Sequence, residues 1–388
     1  MTRLRILSIL FIAASVAAMT PAAAGAELRQ PTWGRRTPQD LEAVAATPLG
    51  GTATTAVRYV ARYTADGREL WHRHGPAGDV AVGPDGTVVT AGSVGSPASG
   101  CPAWSIRTYG PSGGLLWSRR MARCSPTSNA DLISVAVTAH MIVVAANRVP
   151  YDSPGSSYRD AYVLEFSLGG RLIRSFDIEP SSRAWYDSVE GVTVGPAGTI
   201  FVTGWADLGV WTTDAAGHTV VPDRDPYVMA YTSTGSVVWK SLLHDHGSAH
   251  VQDGLSIDVG GGVLAMVADV QTPDRHMRAY RVVRFSTRGS RLWARTIPTR
   301  TDNAFWAEVA VAPTGAISLV ASHAGRPLLR TFRPNGTVAW SARIGSGRRP
   351  SLEYDPHDVD ASAAGVFVAG SHYVRQSVIR GWIFRYRL

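Results

Sequence analysis

Short apolar runs that alternate with polar residues, broken every few positions by Gly or Pro, fill the chain from about residue 55 to its C-terminus. A two-residue period of this kind predicts half-buried β-strands joined by turns. No long stretch repeats apolar residues at helical spacing. Among the strands one pattern recurs: "YTADGRELW" at Tyr63–Trp71, then "YGPSGGLLW", "YTSTGSVVW", "FSTRGSRLW" and "FRPNGTVAW". Each copy sets an aromatic residue, then Gly four positions later, then Trp four positions after that. A sixth copy, "FSLGGRLIR", keeps Phe166 and Gly170 but has Arg174 in place of Trp.

A second signal lies between the copies, in "DVAVGPDGTVVTAG", "GVTVGPAGTIFVTG", "EVAVAPTGAISLVA" and weaker relatives such as "HDVDASAAGVFVAG". Each is a pair of apolar runs around a tight turn, where Pro presets φ and Gly supplies a positive φ. A third run follows, as in "DAYVLEF" and "YRVVRF", and the aromatic-Gly-Trp element supplies a fourth strand. The aromatic positions, from Tyr63 to Phe332, lie roughly 46 to 65 residues apart, a period that suits a propeller blade carrying loop insertions. The predicted fold is therefore an all-β propeller of four-stranded antiparallel blades. Six first, second and fourth strands against seven third strands predict six blades, with seven as the alternative. Trp71, Trp117, Trp239, Trp293 and Trp340 are read as core residues that fill the gap between blades. Gly67–Arg73 is expected to close the ring as the outer strand of the blade formed by Asp358–Tyr386.

The N-terminus changes the picture of compartment. Arg3 and Arg5 precede the apolar run Ile6–Ala18, and Ala24-Gly25-Ala26 is an A-x-A cleavage pattern, so residues 1–26 read as a secretory signal peptide. The apolar run is shorter than a membrane span needs. Residues 27–54 are expected to be an N-terminal extension and residues 55–388 the propeller, secreted and extracellular. The chain carries a formal charge of +8, and Lys240 is its one lysine. The arginines are scattered, with no run that suggests a nucleic-acid groove, so nucleic acid is not an expected partner.

The unit "DAYVLEFSLGGRLIRSF…GVTVGPAGTIFVTG", with its relatives across Tyr63–Leu388, resembles the bacterial SBBP β-propeller repeat. Its Gly-x-x-x-Trp element is similar to the tryptophan-docking motif of pyrroloquinoline-quinone dehydrogenases and outer-membrane assembly propellers. The resemblance implies the propeller fold. SBBP-like repeats occur in secreted and surface proteins of many roles, so it implies no activity. The chain lacks the adjacent cysteine pair and cofactor site of the quinoproteins, and no cofactor is expected.

Candidate chemistry is sparse. Cys101 and Cys124 are the only cysteines, in a chain read as secreted, and they bracket one strand-turn-strand unit; a structural disulfide is expected. "HDHGSAH" gathers His244, Asp245, His246 and His250, residue types that could hold a transition metal. Solvated loop histidines are the plainer reading of that segment, as of His72 and His74. Asp79, Asp131, Asp187, Glu190, Asp253, Glu308, Asp355 and Asp358 each fall within a few residues upstream of the expected first strand of a blade. Several adjoin Trp185, Tyr186, Trp306 or Tyr354. Loops at that point run toward the central channel, and acids beside aromatics are what a carbohydrate site uses. Such acids could equally coordinate Ca²⁺. The preferred reading is that each bonds nearby backbone amides. No nucleophile elbow, P-loop or dinucleotide fingerprint is present. Two functions remain. The first is a monomeric, non-enzymatic propeller that binds an extracellular protein or polysaccharide at one channel mouth, through Trp185, Tyr186, Asp187, Asp253, Trp306, Tyr354 and Asp355. The second is a polysaccharide lyase or hydrolase built from the same acids and the loop histidines.

Overall fold

A computed structural model describes residues 27–388 apart from 29, 38, 40, 95–102, 122–127, 151–159, 181–185, 196, 208–211, 214–218, 221–223, 244–249, 272–276, 299–306, 324–325, 345–354 and 376–377. The signal-peptide reading therefore lies outside the described residues. The strands form seven four-stranded antiparallel blades arranged as a propeller. Seven replaces the expected six.

Each blade is named here by its inner, second, third and outer strands. Blade 1 is Leu41–Ala46, Thr52–Ala56, Tyr59–Tyr63 and Glu69–Arg73. Blade 2 is Ala77–Val82, Val88–Val94, Ala103–Tyr109 and Leu115–Met121. Blade 3 is Ser128–Val137, Met141–Pro150, Asp160–Ser167 and Leu172–Asp177. Blade 4 is Tyr186–Val194, Ile200–Asp207, Arg224–Tyr231 and Val237–Leu242. Blade 5 is His250–Gly260, Val263–Gln271, Met277–Ser286 and Arg291–Pro298. Blade 6 is Ala307–Val311, Ile317–His323, Arg326–Phe332 and Val338–Arg343. Blade 7 takes Asp355–Ser362, Gly365–Arg375 and Val378–Tyr386 from the C-terminus, and its outer strand is Trp33–Thr37.

The ring is closed by a strand that sequence reading missed. Trp33–Thr37 pairs antiparallel with Val378–Tyr386, Trp33 opposite Arg385 and Thr37 opposite Gly381. Gly67–Arg73 does not serve this role; Glu69–Arg73 is the outer strand of blade 1 and pairs with Tyr59–Tyr63. Residues 27–54 are thus not an extension: they supply the closing strand, the inner strand of blade 1 and the start of its second strand. Their side chains explain the error. Thr52–Ala56 is buried along its whole length, so Thr and Ala fill both faces of a narrow wedge and no apolar-polar alternation marks the strand. A further short strand, Glu27–Leu28, runs parallel to the outer strand of blade 6.

The recurring Gly and Trp meet across blade boundaries. Trp71 of blade 1 donates its Nε1–H to the Pro111 carbonyl at 2.9 Å, in the outer turn of blade 2. A Cβ on Gly113 of that turn would fall 2.7 Å from the indole. Trp117 bonds Leu168 of blade 3, Trp239 bonds Thr287 of blade 5 and Trp293 bonds Pro334 of blade 6 in the same way. Glycine is required at these turns twice over: its φ is positive, and the indole occupies the place of a side chain. In blade 3, where Arg174 replaces Trp, Phe176 two residues on packs against Gly235 of blade 4 instead. Trp71 and Trp340 are buried as expected of core residues, whereas Trp117, Trp239 and Trp293 are half-buried.

The two ends of the ring differ in kind. At one end lie the inner–second and third–outer turns, closed by repeated short hydrogen bonds such as Gly67 N to Thr64 O and Thr64 N to Arg68 O. At the other end run the second–third and blade-to-blade connections, several of them long, with an added hairpin of Thr212–Thr213 and Thr219–Val220 in blade 4. Loops held by a rigid scaffold are where binding residues concentrate.

Candidate functional site

The inner strand of each blade is an edge, and its backbone donors need partners. Aspartates on the inner strands supply them. Asp79 accepts the Val80 amide through Oδ1 and the Val135 amide of blade 3 through Oδ2, both at 2.7 Å, with the Ser134 hydroxyl at 3.0 Å. Asp358 joins its own Val359 to Val44 of blade 1, and Asp360 joins Ala361 to Ala46. Asp258 joins Val259 to Val311 of blade 6. Between blades 3 and 4 Asn147 does the same work, accepting the Val189 amide and donating to its carbonyl. Asp79 and Asp358 therefore bond backbone amides, as the preferred sequence reading had it, but they lie on strands inside the channel rather than in loops.

Toward the long-loop end the inner strands are bulged. Register slips by one residue at Glu42 in blade 1, Ile133 in blade 3, Glu190 in blade 4, Leu255 in blade 5 and His357 in blade 7. A regular strand sends consecutive side chains to opposite faces; a bulge breaks that alternation. Glu42 with Ala43, Glu190 with Gly191, and His357 with Asp358 accordingly all line one cavity of about 290 Å³, joined by Asp79 and Glu308. A second cavity of about 280 Å³ continues along the channel toward the tight turns, past Asp258 and Asp360. His357 Nε2 lies 2.9 Å from the Ser371 hydroxyl.

Burial decides the protonation of these groups. It pushes Asp79 and Asp360 up to about 6, against the amide donors that favour their anions. Asp258 rises to about 8 through burial and then repulsion from Asp360, and Glu308 to about 8 through burial and then Asp79 and Glu190, against the bond from Ser256. Asp358 is raised as well, by burial and then by Glu308 and Asp79. A carboxyl near 8 keeps its proton at neutral pH and donates a hydrogen bond, while its ionised neighbours accept. The cavity wall thus offers donors and acceptors together. Among the described residues no group of three or more His, Cys, Asp or Glu side chains is arranged to hold a metal ion.

Of the residues expected at the mouth, Asp187 is half-buried on the inner strand of blade 4, opposite Ala206. Tyr186 begins that strand opposite Asp207, and Asp355 begins the inner strand of blade 7 opposite Ser371. Asp131, Asp253 and His250 lie on the inner strands of blades 3 and 5. Trp185, Trp306, Tyr354, His244, Asp245, His246, Cys101 and Cys124 lie outside the described residues. The cavity unites Asp79, Glu190, Glu308 and Asp358 from the sequence list with Glu42 and His357, which the sequence reading did not single out. An acid or His one position before the alternating run is the signal that would have found them.

No family model and no curated protein matches this chain. Solved structures do resemble it. A chain of a mitotic checkpoint complex aligns over 99% of this chain and 100% of its own length, with 12% identity and a TM-score of 0.52. The Neurospora crassa Pan2 WD40 domain aligns over 93% and 98%, with 10% identity and a TM-score of 0.50. The β-propeller domain of the Trilobed protease from Pyrococcus furiosus covers 89% and 94%, at 9% identity and a TM-score of 0.48. The likeness is one of fold. This is a seven-bladed β-propeller.

Proposed function

We propose that the protein is a secreted, non-enzymatic binding propeller that takes an extracellular glycan or protein at the long-loop mouth of its channel. One observation carries the reading: bulges in the inner strands turn Glu42, Glu190 and His357 into the same cavity as Glu308. Structural aspartates that clasp adjacent blades need no such bulges. A wall of mixed carboxyl and carboxylate groups accepts from and donates to hydroxyls, which favours a glycan over a protein as the ligand. Release from the cell rests on the leader-like residues 1–26 and on the resemblance to SBBP repeats. The competing reading, a polysaccharide lyase or hydrolase, draws on Glu308, protonated near neutral pH, as an acid and on His357 of the same cavity as a base.

A glycan array run beside a turnover assay on the glycans it identifies separates the two. Binding without product, weakened by Glu190→Gln and by His357→Ala at unchanged melting temperature, supports the binding propeller. Product formation that falls with Glu308→Gln supports the enzyme.

A further inference from the structure

Nine of the ten large hydrophobic side chains exposed among the described residues lie at the tight-turn end of the ring, and Val57 is the exception. Their placement follows the repeat. Leu70, Leu116, Ile173, Val238 and Leu292 each stand three residues after the turn glycine, in blades 1 to 5. They immediately precede Trp or, in blade 3, Arg174, so strand alternation points them away from the face that docks on the next blade. The same position in these five blades puts them at one height around the ring. Leu116 is 61% exposed and Val238 54%. In blade 6 the corresponding residue is Ala339, half-buried on the strand that Glu27–Leu28 accompanies. Isolated surface aliphatics are ordinary, but here one exposed aliphatic recurs at the same position in five successive blades.

The turns beside these aliphatics are basic. Arg68, Arg171, Arg288, Arg291 and Arg333 are exposed there, against the exposed acids Asp66 and Asp85. Glu69 is occupied by Arg35 and His72. Glu42, Asp79, Glu190, Asp258, Glu308, Asp358 and Asp360 line the channel instead. Aliphatic side chains flanked by arginines match the boundary between anionic headgroups and acyl chains, where the guanidinium groups reach phosphate and the aliphatics leave water. We propose that the tight-turn end docks on an anionic phospholipid bilayer, leaving the carboxylate-lined mouth facing away from the membrane. This surface is independent of the ligand bound at that mouth.

Co-sedimentation with vesicles of phosphatidylcholine alone, and of phosphatidylcholine with phosphatidylglycerol, tests the proposal on the full chain. Two variants accompany the parent: Leu116→Ser with Ile173→Ser, Val238→Ser and Leu292→Ser, and Arg171→Gln with Arg288→Gln, Arg291→Gln and Arg333→Gln. The parent should pellet with the phosphatidylglycerol vesicles, and each variant should bind about tenfold more weakly at an unchanged melting temperature. A parent that stays in the supernatant overturns the proposal. So does an aliphatic variant that binds like the parent, or equal binding to soluble polyglutamate, since either reduces the contact to charge alone. Concentration-dependent self-association of the parent, lost in the aliphatic variant, would assign the aliphatics to a second copy and overturn it too.

Discussion

Trp33 donates its indole Nε1–H to the Ala65 carbonyl at 2.7 Å, joining the closing strand of blade 7 to a turn of blade 1. A Cβ on Gly67 of that turn would fall 2.9 Å from the indole. Arg35, two residues on, donates to the Gly67 carbonyl at 2.9 Å. The strand that completes blade 7 therefore also docks on blade 1, and each blade boundary is sealed by an aromatic from the outer strand before it. Between blades 6 and 7 that aromatic is Trp340, which stacks on Tyr386.

Trp33→Ala should consequently weaken ring closure rather than one hairpin. A loss of about 2 kcal/mol is expected for a half-buried indole with a part-buried bond, read from urea unfolding. Removal of residues 27–37 should go further and leave Val378–Tyr386 as an open edge, with aggregation on concentration. A truncated chain as stable and monomeric as the parent would show that the ring closes some other way.

The turn glycines carry a separable prediction. Gly289 has φ +89° and an indole where its Cβ would be, whereas Gly262 has φ +75° and nothing within 4 Å. Alanine at Gly262 meets only backbone strain, about 1 kcal/mol. Alanine at Gly289 must also displace Trp239, so its cost should exceed that of Gly262→Ala by about 2 kcal/mol. Equal costs measured by thermal unfolding would mean that the indole does not press on the turn.

The blades were legible in the sequence because their outer turns and outer strands obey local rules: Gly at a positive φ, Trp four residues later, alternation between. The inner and second strands of blade 1 were not, because Leu41–Ala46 and Thr52–Ala56 are rich in Ala and Thr and mostly buried on both faces, and burial on both sides erases the two-residue period. Ring closure was illegible for another reason. Trp33 is followed by Gly34-Arg35-Arg36, a polar edge strand whose partner lies at the far end of the chain. The acids were found at Asp79, Glu190, Glu308 and Asp358 because they precede recognisable strands. Asp258 and Asp360 sit inside the alternating run, where a polar residue reads as solvent-facing, and only the ring turns that face into a channel.

The disulfide expectation can be tested through the register around it. Trp104 lies opposite Met121 at the long-loop end of blade 2, three positions in sequence from Cys101 and from Cys124 respectively. Intact-mass measurement without reductant should find no free thiol. Reductant should then cost up to about 3 kcal/mol of stability by the loop-closure argument. Two free thiols on the purified protein would contradict the bridge.

The channel carboxyls impose an unusual pH dependence. Asp79 and Asp360 are pushed up to about 6, and Asp258 and Glu308 to about 8, all above the range of the unfolded chain. A group whose folded pKa is raised binds more protons in the native state, so its contribution is fully present below the unfolded pKa and is lost as pH rises through the folded value. Stability should therefore fall between about pH 4 and pH 8, opposite to a protein held by ionised carboxylates. Glu308→Gln keeps a polar partner for Ser256 and removes one of these protons from the balance. Its melting temperature should match the parent near pH 5 and exceed it by about 2 °C or more at pH 8. A parent whose melting temperature rises from pH 5 to pH 8, with Glu308→Gln following it in parallel, would mean that the Glu308 carboxyl is ionised in the channel at neutral pH.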